Sequence, residues 1–188
     1  MNLELFIEML REAYAEQERR LGNEFQRSLP FADGMFDRWE RARRLGFGSG
    51  SSIYNSALVY GSVSVGEKTW IGPNTLLDGS GGRLTIGSFC AVSAGVHIYT
   101  HDTVLWALSG GAEPRRTAPV QIGDRCYLGA QAIVVAGVTV GDQCVVGANS
   151  FVNRDVPSRS VVAGSPARPI GRVDLDEGGR VHLVTWSE

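Results

Sequence analysis

The chain has 188 residues, 24 of them glycine, and a formal net charge of −2. That length sets one domain with room for a substantial core. The charge leaves no basic footprint for nucleic acid, and no run approaches the ~18 apolar residues of a membrane-spanning helix. The opening residues 1–8 place acids inside an apolar run with no basic start, unlike a secretory leader. A cytoplasmic protein is expected.

Residues 3–27 read as an amphipathic helix, with Leu3, Phe6, Ile7, Leu10, Tyr14 and Leu21 forming an apolar stripe among Glu and Arg. Leu29-Pro30 interrupts it. A second short helix is predicted over 34–44. Met35, Phe36 and Trp39 lie on one side, and Arg38, Arg41, Arg43 and Arg44 form either a solvated face or a contact for an acidic acceptor. Residues 1–46 thus make a helical extension, expected to cap one end of the main domain or to lie on the next subunit.

A six-residue rhythm then takes over. An aliphatic residue, usually followed by glycine, recurs at Val65-Gly66 and Ile71-Gly72, and again at Ile122-Gly123, Leu128-Gly129, Val140-Gly141 and Val146-Gly147. Neither a helix (period 3.6) nor a half-buried strand (period 2) needs a period of six. A triangular coil does, with one hexad per side. Triplets of hexads start at 47, 65, 86, 122 and 140, which makes five coils over residues 47–165. A three-residue insertion is placed at 83–85 and an excursion at 104–121, with a tail over 166–188. Glycine after the aliphatic residue suits either a close backbone approach or positive φ. Cys90, Cys126 and Cys144 share one inward slot on successive coils, with Thr69 below them. They read as small buried hydrophobes; their odd number and spacing fit neither a disulfide framework nor a metal site.

The segments Ile122–Gly129 and Val134–Gly141, with Ala148–Pro157 and the closing Ala163-Gly164-Ser165-Pro166-Ala167-Arg168, resemble the hexapeptide-repeat acyltransferase family. The match covers about residues 50–172. It is most similar to maltose/galactoside O-acetyltransferases, especially those of surface-polysaccharide biosynthesis. The resemblance implies an all-β, left-handed parallel β-helix; the spacing alone does not fix the hand. It also implies a homotrimer with active sites between subunits and acetyl-CoA as co-substrate, with no metal.

His101 stands where the chain leaves the coil for its long loop. Imidazole titrates near neutrality and can take a hydroxyl proton during acyl transfer. In the resembled family a histidine at this loop position is that base, which makes His101 the candidate catalytic residue. Asp78, one coil earlier on the same face, either orients the imidazole, binds a sugar hydroxyl or simply makes a turn before glycine. Asn74 is a second polar candidate. Trp106 either stacks on a sugar ring or anchors the loop. For the coenzyme, the resemblance assigns Tyr127 beside the thiol end, the backbone of Gly129, Ala130 and Ala148 along the pantetheine arm, and Asn153 and Arg154 toward the nucleotide. Arg168 and Arg172 are available for its phosphates, although the family's further basic position aligns with Gly171. The expected activity is acetyl transfer to a hydroxyl of a saccharide or glycoconjugate. Transfer to an amine of a nucleotide-linked sugar, transfer to a xenobiotic, and a non-catalytic scaffold are the competing readings.

Overall fold

The computed structural model describes residues 2–186. Three helices precede the coil: α1 (Leu3–Phe25), α2 (Phe31–Met35) and α3 (Arg38–Arg44). Asn2 caps α1 by accepting the Glu4 N–H, and Gln26 ends it in the left-handed region. The single helix predicted over 34–44 is two helices. Phe36 is extended, and the Asp37 carboxylate accepts the Glu40 N–H, so Asp37 starts a new helix. α3 caps the solenoid. Ala42 and Phe47 are buried, and the Arg41 guanidinium donates to the carbonyls of Tyr54 and Ala57 in the first turn. α1 has no buried residue.

Residues 52–163 wind into a triangular parallel solenoid whose three walls are ladders of short strands. One wall stacks Val65, Ile86, Ile122, Val140 and Val156 in register. The next stacks Ile53, Ile71, Val92, Leu128, Val146 and Val162. The third stacks Val59, Leu77, Ile98, Val134 and Val152. These are the aliphatic positions of the hexads, and nearly all are fully buried. Each contributes about 1.5–3 kcal/mol of burial. After Val152 the six-residue frame slips, and Val156 and Val162 continue two of the walls over Val140 and Val146. The predicted tail then pairs antiparallel with Ser160–Ala163 through Arg168–Leu175, and Val181–Thr185 comes next.

The glycines after the aliphatic residues are required by close approach. A Cβ on Gly129 would lie 2.5 Å from the Ala148 nitrogen of the next turn, and one on Gly123 2.8 Å from that of Asp142. Positive φ falls two residues later, on Lys68, Asn74, Phe89, Arg125, Gln131, Gln143 and Asn149. Asn74 is therefore an exposed corner residue at φ 55, its N–H 3.4 Å from the Ser56 hydroxyl.

The inward slot expected for the cysteines is a continuous column. The Ser51 hydroxyl donates to the Gly66 carbonyl and accepts the Thr69 N–H. Thr69 does the same with Gly87 and Cys90, and the Cys90 thiol with Gly123 and Cys126. Cys126 and Cys144 then donate to the carbonyls of Gly141 and Pro157. Contact with the Cys144 and Cys90 thiols, together with burial, pushes the Cys126 thiol far above the ordinary thiol range.

Two irregularities differ from the sequence expectation. Gly61 pairs with Gly79 and Val63 with Leu84, so the three extra residues lie within 80–83 rather than at 83–85. Leu84 is fully buried and holds its wall position, which pushes the slack into the glycine-rich stretch before it. The excursion also starts and ends earlier than 104–121. His101–Asp102 pairs antiparallel with Arg116–Thr117, α4 (Val104–Leu108) comes after the first of these strands, and Val120–Ile122 is back on the wall against Leu84–Ile86. Val120 is fully buried, and that burial fixes the point of return.

Candidate active site

The site forms where the two irregularities meet. The slack at 80–83 makes a shelf against which the root of the loop rests. A Cβ on Gly81 would lie 2.5 Å from the His101 Cβ and 2.5 Å from the Thr100 carbonyl, and one on Gly82 would meet Ala118 and Pro119 at about 3.0 Å. Only glycine lets the two strands close to this distance. The fully buried Thr100 hydroxyl donates to the Asp78 carbonyl (2.8 Å) and accepts the Gly81 N–H (3.0 Å). Across the shelf, the Arg115 guanidinium donates to the Ser80 carbonyl at 3.3 Å.

These contacts fix His101. Its Nδ1 is 3.3 Å from Asp78 Oδ2 and 3.4 Å from the Ser80 hydroxyl. Asp78 is buried, and its other oxygen accepts the Ser80 N–H at 2.9 Å. An ionised carboxylate beside Nδ1 favours the tautomer that carries its proton there, which leaves the Nε2 lone pair free. The imidazole remains partly open to solvent, at 24% side-chain exposure. Thr100, Ser80 and Gly81 were not singled out from the sequence. The paired glycines beside the insertion were the available signal.

His101 also borders a cleft of 740 Å³ that runs along the third wall toward the later turns. Tyr99, Arg116, Ile133, Phe151 and Asn153 line it with the loop residues Asp102–Val104. Of the other sequence candidates, only Asn153 joins His101 in this cleft. Asp78 lies behind the imidazole. Trp106 is on α4, exposed and packed near Gly111, and Asn74 is at a corner slot; neither lines the cleft. Tyr127 is half-exposed on the second wall, between Ala91 and Val145. Gly129 and Ala130 turn the corner from that wall to the third, and Ala148 sits directly over Gly129. Along this corner the N–H groups of Ala94, Ala130 and Ala148 have no acceptor among the described residues, whereas Gln131 and Asn149 beside them donate to the previous turn. Exposed Arg154 comes directly after Asn153. Arg168 donates to the Ala167 carbonyl, and Arg172 pairs with Asp174 at 2.9 Å. Of these residues only Asn153 reaches the His101 cleft.

The hexads, the three walls and the loop-root histidine together define a hexapeptide-repeat protein. The family described as "Hexapeptide repeat of succinyl-transferase" matches residues 119–154. A hexapeptide-repeat containing acetyltransferase of Vibrio cholerae O1 biovar eltor, solved with acetyl coenzyme A, is 30% identical. That likeness covers 86% of this chain and 87% of that one, with a TM-score of 0.58. A 2,3,4,5-tetrahydropyridine-2,6-dicarboxylate N-acetyltransferase of Halalkalibacterium halodurans is 41% identical over 101 residues, 54% of this chain and 38% of that protein. Nodulation protein L of Rhizobium meliloti is 40% identical over 111 residues, 58% of this chain and 60% of that protein. The chain thus spans less than two thirds of the length of these curated relatives. It belongs to the hexapeptide-repeat acetyltransferase family.

Proposed function

We propose that this protein is an acetyl-CoA-dependent acetyltransferase that moves an acetyl group directly to a hydroxyl of a saccharide or glycoconjugate, with His101 as general base. The observation that carries the reading is the Asp78–His101 pair at 3.3 Å, set at the mouth of the cleft. In this reading the acceptor hydroxyl gives its proton to Nε2 as its oxygen attacks. Asp78 stabilises the imidazolium from behind, and the proton then passes to the departing thiolate. Acetyl-CoA supplies the activated acyl group as a thioester. The unpaired amides of Ala130 and Ala148 suit the amide carbonyls of a pantetheine arm. Tyr127 and Gly129 border that corner, and Asn153, Arg154, Arg168 and Arg172 are the polar and basic groups toward the nucleotide end. Asn74 and Trp106 are proposed acceptor contacts supplied across a subunit boundary, since neither reaches the cleft of its own protomer.

The remaining parts of the reading come from the family. The coil is left-handed, the assembly is a homotrimer with sites between protomers, and the enzyme is cytoplasmic and serves surface-polysaccharide synthesis. Residues 1–46 act as a helical extension, 47–165 as the catalytic solenoid and 166–188 as a tail. Transfer to an amine is the second reading, favoured by the relative named as an N-acetyltransferase. Thiol release from acetyl-CoA across a panel of saccharides and amino sugars separates the two. His101→Ala is expected to lower kcat by roughly 10²–10⁴ with an unchanged circular dichroism spectrum and sedimentation coefficient. Undiminished turnover removes His101 as the base.

A further inference from the structure

A second recess lies among the N-terminal helices and shares no lining residue with the His101 cleft. Its volume is 340 Å³, within the ~300–1,000 Å³ of small-molecule sites. Leu21, Phe36 and Trp39 give it apolar walls, and Arg20, Arg27 and Arg38 border it. Arg38 is held in place. Its guanidinium carbon is 4.2 Å from the Trp39 ring centroid and 5.1 Å from that of Tyr54, and one nitrogen donates to the Tyr54 hydroxyl at 2.9 Å. A guanidinium fixed in this way loses little freedom on meeting an anion.

The two carboxylates bordering the recess are already engaged with backbone. Asp33 accepts the N–H groups of Asn55 and Ser56, and Asp37 accepts that of Glu40. Among the described residues, neither forms an ion pair with Arg20, Arg27 or Arg38. Three guanidiniums against two carboxylates leave a net positive charge at an apolar-walled recess. The arginine cluster that the sequence left open as a solvated face divides here into separate tasks. Arg41 caps the coil, Arg44 pairs with Glu40 and Arg38 borders the recess.

We propose that this recess binds a ring compound bearing a phosphate, with the ring against Trp39 and Phe36 and the phosphate oxygens on the arginines. Three guanidinium forks offer more donors than one carboxylate can use, and they suit the terminal oxygens of a phosphomonoester. A sugar phosphate and a nucleotide share this chemistry. The site is separate from the acetyl-transfer reading and stands whether or not that reading holds.

Calorimetric titration of the full chain at low salt, with saturating coenzyme A present, tests the proposal with glucose 1-phosphate, AMP and inorganic phosphate as probes. The expected result is saturable binding of at least one organic phosphate, at least tenfold tighter than inorganic phosphate. Arg38→Ala and Arg27→Ala should each weaken it at least fivefold, and His101→Ala should leave it unchanged. Tighter binding of glucose 1-phosphate assigns a sugar phosphate, and tighter binding of AMP a nucleotide. Arg27 is exposed, so its variant serves if Arg38→Ala does not fold. No saturable binding, or binding indifferent to Arg27→Ala and to any folded Arg38 variant, overturns the proposal.

Discussion

The turns after Ile122 and the turn between Leu77 and Pro119 are made of the same hexads but behave differently. From Ile122 to Val152 every sixth residue is buried, and the corners at Arg125, Gln131, Gln143 and Asn149 repeat one left-handed turn, so each of these turns restates its neighbour. The earlier turn is broken twice, by three extra residues within 80–83 and by the hairpin that starts at His101. The two breaks support each other across Gly81 and the Thr100 hydroxyl. Regular winding gives a rigid wall, and the polar geometry that can do chemistry sits where the winding fails.

Substitutions in the two regions separate these roles. The largest effect is expected in the regular turns. Gly129→Val drives a side chain into the Ala148 backbone, and a loss of about 3 kcal/mol or more in denaturant titration is expected. A loss below about 1 kcal/mol shows that the turns can spread, and the comparison then fails. A smaller structural effect with a larger catalytic one is expected at the break. Gly81→Ala displaces the backbone that carries His101, and misplacement of that order lowers kcat by roughly 10–100-fold with KM for acetyl-CoA unchanged. Full activity in this variant denies the shelf its positioning role.

The smallest effect lies outside both regions, in the final hairpin. Hydrogen bonding to His182, then to the N–H groups of Arg180 and Gly178, holds the Asp176 carboxyl below the usual carboxylate range. A depressed folded value stabilises the hairpin above the ordinary carboxylate pKa, and that stability is lost as pH falls through the lowered value. His182→Ala should bring Asp176 back toward its ordinary titration, read from its side-chain carbon shift by NMR, with no change in the solenoid.

The winding was legible because a fixed period over a dozen hexads leaves no other architecture. The loop-root histidine was legible because the chain leaves the frame beside it. The insertion was misplaced because Gly79-Ser80-Gly81-Gly82 offers no aliphatic residue to anchor the count; only burial of Leu84 does so. The break at Asp37 was missed because one side-chain cap outweighs the helical pattern on both sides. Left-handed corners at Lys68, Phe89 and Arg125 were illegible, since none of these residue types signals a turn. The support of His101 depends on Asp78 and Ser80 meeting Thr100 and His101 from the neighbouring turn, which no local pattern encodes.

The sulfur column also records how the molecule comes apart. Cys90, Cys126 and Cys144 are buried at successive heights, and each thiol is tied to a carbonyl of the turn above it. Alkylation at any one of them requires that the turn above lift away. If the stack frays from its C-terminal end, Cys144 should be labelled first, then Cys126, then Cys90, in timed mass spectrometry under mild denaturant. Simultaneous labelling of all three would mean that the prism opens as a single cooperative unit.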